Sequence, residues 1–96
     1  EAAVKVKPDS AEARYALGNA YAGRNRLKEA TGEYKTALQF KPDFAEVHNN
    51  LGNIHTLEGR HEDAIREYHQ ALNLKPDYSE AARNLSLVSK RLGRSR

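Results

Sequence analysis

The chain has 96 residues, a formal net charge of +3, 30% charged side chains and no cysteine. This composition excludes disulfides, thiolate metal ligands and a thiol nucleophile, and a domain of this size is too small for a large enzyme core. No apolar run approaches the ~18 residues that a membrane span requires, so we expect a soluble, cytoplasmic protein without membrane insertion.

One tripeptide, Lys-Pro-Asp, recurs at a fixed spacing along the chain. It begins at Lys7, Lys41 and Lys75, and its three copies contain all 3 prolines. Aligning residues 11–44 with residues 45–78 gives 14 identities in 34 positions without a gap. Self-similarity at such a period is typical of a solenoid, in which each structural repeat packs against its neighbours.

Apolar residues follow a helical spacing in two segments of each repeat, which predicts a pair of helices. In the first repeat the two apolar faces are Ala13, Leu17, Ala20 and Tyr21, and then Leu27, Ala30, Tyr34, Ala37 and Leu38. Asn25 and Gly59 fall between the paired segments, where a helix C-terminus favours a residue that tolerates positive φ. Each pair is therefore expected to fold back as an antiparallel hairpin.

The recurring tripeptide predicts where one helix stops and the next begins. Proline lacks an amide hydrogen and restricts the preceding residue, so each copy should end a helix. Each aspartate is followed three residues later by a glutamate, a pattern that resembles a capping box at a helix N-terminus. The three pairs are Asp9 with Glu12, Asp43 with Glu46, and Asp77 with Glu80.

These features together resemble the tetratricopeptide repeat, a helix hairpin of 34 residues. Its conserved positions are matched by Leu17, Gly18, Ala30, Tyr34, Ala37, Leu38 and Pro42, and again by Leu51, Gly52, Ala64, Tyr68, Ala71, Leu72 and Pro76. Three positions depart from the pattern: Arg14 and His48 stand where the family commonly has tryptophan, and Ser86 replaces the packing glycine. The resemblance implies an all-α, right-handed superhelical solenoid that acts as a protein-protein interaction scaffold.

The repeat register predicts about two and a half repeats in this chain. Residues 1–10 align with the end of a second helix and its turn, and residues 11–44 and 45–78 form repeats. Residues 79–92 align with a terminal first helix, or capping helix, and residues 93–96 form a basic tail. Both repeat ends would then be open, so self-association through them is one hypothesis for function.

In such a solenoid the outward stripe of each first helix lines a concave groove, which is the predicted site for a partner peptide. The stripe comprises Glu12, Tyr15, Asn19 and Ala22, then Glu46, Asn49, Asn53 and Thr56, then Glu80, Arg83, Leu87 and Lys90. The second repeat is also similar to those of O-GlcNAc transferases, which implies a peptide-gripping role for Asn50 and Asn84. An alternative is therefore that the chain is the substrate-recruiting arm of a larger, glycosyltransferase-like enzyme.

Other site chemistries fit the sequence less well. His48 and His55 are seven residues apart, which lacks the i, i+4 pairing of a helical zinc motif, so we predict packing histidines and no metal site. No serine, histidine and acid form a recognisable motif, so we predict no catalysis, no cofactor and no small-molecule substrate. The slots of a chaperone-type carboxylate clamp hold no cation here.

The positive charge is concentrated at the C-terminal end. Residues 81–96 contain five basic and no acidic side chains, whereas residues 1–80 contain 11 basic and 13 acidic ones. Such a cluster could neutralise phosphates. Because no aromatic residue is interleaved with it to stack on bases, we favour a solvated helix end over a nucleic-acid site.

Overall fold

The computed structural model describes residues 10–93, and within this range it contains α-helices and no strand, which confirms the all-α class. The helices are α1 (Ala11–Gly23), α2 (Leu27–Phe40), α3 (Ala45–Leu57), α4 (His61–Leu74) and α5 (Ser79–Arg91). The chain divides into two compact units at Asp43 and Phe44. We call them the first unit, whose described part contains α1 and α2, and the second unit, which contains α3, α4 and α5.

The prolines end helices as predicted. Lys41 and Lys75, each followed by proline, are the C-caps of α2 and α4, and both have an extended backbone with φ of −145° and −142°. Such a conformation is expected before proline, whose ring excludes helical geometry at the preceding residue. Residues 1–9, with the first tripeptide, and residues 94–96 of the predicted tail lie outside the described residues.

The predicted aspartate caps are wrong. The N-cap residues are Ser10, Phe44 and Tyr78, each one position later, and among them a side-chain cap is made by Ser10, whose Oγ accepts from the amide of Ala13 at 3.0 Å. Asp77 instead lies inside a turn that the amide of Tyr78 closes onto the Lys75 carbonyl oxygen at 3.0 Å. Proline favours the second position of such a turn, which places the aspartate third and delays the helix.

The two hairpin turns have the left-handed backbone that the sequence predicts. Asn25 has φ of 62° and Gly59 has φ of 79°. In each turn the amide of the next residue donates back to the helix, from Arg26 to the Tyr21 carbonyl at 2.9 Å and from Arg60 to the His55 carbonyl at 2.8 Å. These bonds satisfy carbonyl groups that the end of a helix would otherwise leave unpaired.

Within each hairpin, a tyrosine of the second helix packs against a glycine of the first. Tyr34 and Tyr68 are each only 1% exposed. A Cβ atom added to Gly52 would lie 2.5 Å from Cε1 of Tyr68, and one added to Gly18 would meet the Tyr34 ring in the same way. The aromatic ring therefore occupies the space that a side chain at the glycine position would fill.

The first helix of the first unit has two exposed apolar positions, Leu17 and Ala20, that the pattern assigned to a packed face. Leu17 is 43% exposed, whereas Leu51, its equivalent in the second repeat, is 2% exposed. The adjacent Gly18 is buried against Tyr34 of α2.

We predict opposite effects for alanine at two helical glycines. Gly52→Ala should lower the free energy of unfolding by about 1–3 kcal/mol, because the new methyl group would overlap the enclosed Tyr68 ring. The control, Gly32→Ala in α2, meets no atom within 4 Å. It should raise the free energy of unfolding by about 0.5–1 kcal/mol through helix propensity alone. Urea unfolding followed by circular dichroism measures both, and equal stabilities would contradict the packing described.

Candidate functional site

The asparagine of each Gly-Asn pair is bound by the tyrosine that packs on the glycine. The Tyr68 hydroxyl donates to Oδ1 of Asn53 at 2.6 Å, and the Tyr34 hydroxyl donates to Oδ1 of Asn19. A buried phenol needs such a partner, because an unpaired hydroxyl away from water is costly. The oxygen of each side-chain amide is therefore committed within its hairpin.

Asn49 was expected on the exposed stripe of α3, and the structure buries it completely. Its Nδ2 donates to Oδ1 of Asn50 at 3.3 Å and to Oε2 of Glu80 at 3.4 Å, while its Oδ1 accepts from Nδ2 of Asn84 at 3.2 Å. Because Glu80 and Asn84 belong to α5, the Asn49 amide joins two helices of the second unit. Asn49 therefore links helices inside the second unit, and it is too buried to contact a bound peptide.

An open groove of about 320 Å³ lies between α3 and α5 in the second unit. Tyr68 of α4 also lines it. We call it the α3–α5 groove, and its lining residues are Asn53, Thr56, Leu57, Tyr68, Asn84, Leu87, Val88 and Arg91. It combines exposed apolar side chains with amide and hydroxyl groups, which is typical of a site that orients a ligand by a few polar contacts.

The sequence prediction found half of this lining. The predicted residues Asn53, Thr56, Asn84 and Leu87 line the α3–α5 groove, whereas Glu46, Asn50, Arg83 and Lys90 do not. On α5 the groove follows positions 84, 87, 88 and 91, which is the i, i+3, i+4, i+7 row beside the predicted one. Starting the row at the asparagine would have identified Val88 and Arg91.

In the first unit, the predicted residues differ in exposure. Glu12 and Asn19 are exposed, and Tyr15 is half-buried with its ring centroid 6.1 Å from that of Tyr34. A small depression in this unit is lined by other residues, including Leu17 and Arg24. Glu12, Tyr15 and Asn19 therefore lie outside this depression.

The amides in the α3–α5 groove have unused hydrogen-bonding capacity. Oδ1 of Asn53 accepts from the Tyr68 hydroxyl and from Nδ2 of Asn84. The same Nδ2 of Asn84 also donates to Oδ1 of Asn49, and both bonds from Asn84 are 3.2 Å long. Within residues 10–93, neither Nδ2 of Asn53 nor Oδ1 of Asn84 has a protein partner. One donor and one acceptor thus remain, which is what a peptide unit requires.

Burial keeps the Tyr68 hydroxyl neutral. Desolvation raises the pKa of Tyr68 above its ordinary value of 10.0 and outweighs the opposing hydrogen bond from Thr56. The Glu80 carboxylate also raises this pKa, and the Arg91 guanidinium lowers it. The phenol is therefore a hydrogen-bond donor to Asn53 throughout the neutral range.

The histidine and arginine that replace the family's tryptophan make equivalent contacts to the second helix. Arg14 donates from Nη1 to Oε1 of Glu33 at 3.0 Å, and His48 Nδ1 lies 2.8 Å from Oε1 of Glu67. These polar links replace an aromatic contact between the paired helices. Among residues 10–93, no group of three or more histidines, cysteines or acids is arranged to hold a metal ion.

Two family models match the chain. One, described as a tetratricopeptide repeat, matches residues 45–78, and another, described as a TPR repeat, matches residues 19–58. Residues 19–78 therefore carry tetratricopeptide repeats. Such repeats mediate protein interactions and are generally non-catalytic, so the chain has the architecture of an interaction scaffold.

Solved structures of MamA share this tetratricopeptide fold. Two crystal structures of MamA are each 26% identical to this chain with TM-scores of 0.88 and 0.87, and each match covers 93% of this chain. The chain spans about half of them, 52% and 49% of their lengths. A MamA mutant, 22% identical with a TM-score of 0.78 over 88% of this chain and 62% of the other, shows the fold alone.

A search of curated protein sequences gave no match. In the part of the chain that the structure describes, no helix has both the length and the apolar character needed to cross a membrane.

The raised pKa of Tyr68 predicts a loss of stability at alkaline pH. Between the unfolded pKa near 10.0 and the higher folded pKa, the unfolded chain releases a proton that the folded chain retains. The free energy of unfolding should therefore fall as the pH rises through this window. Urea unfolding at a series of alkaline pH values should show a smaller slope for Tyr68→Phe than for the wild type. Identical slopes would contradict the burial of a neutral phenol.

Proposed function

We propose that the chain is an interaction scaffold that binds an extended segment of a partner protein in the α3–α5 groove. The observation that carries this proposal is the unused amide pair, Nδ2 of Asn53 and Oδ1 of Asn84. A peptide carbonyl can accept from the first and a peptide amide can donate to the second, whatever the side chains of the partner. Such binding involves no chemical step.

Two exposed leucines beside these amides support the same proposal. Leu57 of α3 is 70% exposed and Leu87 of α5 is 53% exposed, and both line the α3–α5 groove. Burying such side chains against a partner removes apolar surface from water, which stabilises the complex by about 25 cal/mol for each Å². The leucines would supply affinity, while the amides would fix the direction and register of the bound segment.

The other predicted residues stay part of the proposal, each within its own unit. Glu12, Tyr15, Asn19, Glu46, Asn50, Arg83 and Lys90 could contact a longer partner, but their contacts are not needed for the core interaction. The sequence resemblance to O-GlcNAc transferase repeats predicts a gripping role for Asn50 and Asn84. In this chain Asn50 accepts from Asn49, and the Nδ2 of Asn84 is used inside the second unit. Asn53 is therefore the better donor.

The leucines provide the test of the proposed function. We expect the wild-type chain to bind members of a pool of random octapeptides and the double variant Leu57→Ser, Leu87→Ser to bind them about tenfold more weakly. Both positions are exposed, so folding should be preserved. Leu74→Ser is the matched control, because Leu74 is 40% exposed on α4 and lies outside the groove. Fluorescence anisotropy with individual labelled peptides measures the affinities.

Two outcomes would contradict this proposal. Equal weakening by the double variant and by Leu74→Ser would remove the α3–α5 groove as the binding site. Absence of peptide binding, together with a mass that increases with concentration in sedimentation equilibrium, would favour self-association instead.

A further inference from the structure

One end of the α3–α5 groove is positively charged. Arg91, in the last turn of α5, lines the groove. Lys90 lies beside it, and Arg83 lies two turns earlier on the same helix. All three are exposed, and within residues 10–93 none of them forms an ion pair. These three positive charges of α5 are therefore accessible to a partner.

Most acids of the second unit have partners other than these cations. Glu46 lies 3.4 Å from Nζ of Lys75, Glu67 lies 2.8 Å from His48, and Asp63 lies 3.2 Å from Nε of Arg60. Glu80 accepts from Asn49, and Glu58 lies 3.8 Å from Arg60. Asp77 is exposed, but it precedes α5, roughly 18 Å along the helix axis from Arg91 at 1.5 Å per residue.

We propose that the α3–α5 groove selects a partner segment in which a carboxylate follows or precedes an apolar side chain. Arg91 would bind the carboxylate, and Leu57 and Leu87 would enclose the apolar side chain. This inference rests on the proposed function, and it adds a chemical preference to a binding mode that is otherwise independent of sequence. An arginine suits this role because its planar guanidinium can donate two parallel hydrogen bonds to one carboxylate.

The groove favours an acidic peptide over a nucleic acid as its occupant. Single-stranded nucleic acids bind on aromatic faces on which the bases stack, in addition to a basic surface. Tyr68 lines the α3–α5 groove, but its side chain is only 1% exposed and its hydroxyl is bound to Asn53. What the groove exposes beside Arg91 is aliphatic, which matches a leucine-like side chain of a partner protein.

The test uses octapeptide pools in which one position is fixed and all others are degenerate. Pools with fixed aspartate or glutamate should bind the wild-type chain about fivefold more tightly than pools with fixed lysine, with a second preference for aliphatic residues at a neighbouring position. Arg91→Gln should remove the acidic preference and keep the aliphatic one. Arg66→Gln is the control, because Arg66 is an exposed cation on α4 outside the groove and its replacement changes the net charge equally.

A single peptide selected from these pools then tests the contact between Arg91 and the peptide carboxylate. Changing its acid to the corresponding amide should weaken binding to the wild type about fivefold and binding to Arg91→Gln less than about twofold. If the pools bind through Leu57 and Leu87 without any acidic preference, the selectivity is wrong and the proposed function stands. If no pool binds, both are wrong. Tighter binding of a single-stranded oligonucleotide, lost in Arg91→Gln, would also overturn the inference.

Discussion

The structure depends on a contact among three side-chain positions that occurs once in each helix hairpin. A glycine in the first helix leaves a space, a tyrosine from the second helix fills it, and the asparagine after the glycine accepts the tyrosine hydroxyl. Gly52, Tyr68 and Asn53 form this arrangement in the second unit. Packing alone would tolerate phenylalanine, and the hydroxyl adds a directional bond that fixes how the ring lies between the helices. The hairpin is thus specified by both shape and polarity.

The binding chemistry follows from this structural role. When Asn53 uses its oxygen to hold Tyr68 inside the hairpin, its amino group keeps its capacity as a donor. Asn84 complements it, because its amino group is used within the second unit and its oxygen remains. In α5 the position equivalent to Asn53 is Leu87, which is exposed as an apolar wall of the groove. The groove therefore combines unused amide hydrogen-bonding groups with an exposed leucine.

Much of the fold could be predicted from the sequence, because its signals are local and repeated. The prolines, the left-handed residues Asn25 and Gly59, and the buried tyrosines all act through backbone geometry or helical spacing. The aspartate caps failed because proline at the second position of a turn includes the following Asp77 in that turn. Periodicity does not show how many residues a turn takes up.

The site was less predictable, because its features depend on contacts between helices distant in sequence. Asn49 occupies a polar stripe and yet is buried, since Glu80 and Asn84 of α5 receive its amide. Arg91 was assigned to a solvated helix end, and it lines the groove because α5 presents a neighbouring row of residues to α3. The pattern along one helix shows which residues share a face, but contacts with another helix determine which face is buried and which lines the groove.

A double-mutant cycle on Gly52 and Tyr68 tests the central contact most directly. The free energy of unfolding would be measured by urea denaturation for the wild type, Gly52→Ala, Tyr68→Leu and the double variant. If the ring occupies the space of the absent side chain, leucine removes the overlap, so the two changes should be non-additive by about 1–2 kcal/mol, with the double variant more stable than the sum predicts. Additivity within about 0.5 kcal/mol would contradict the account.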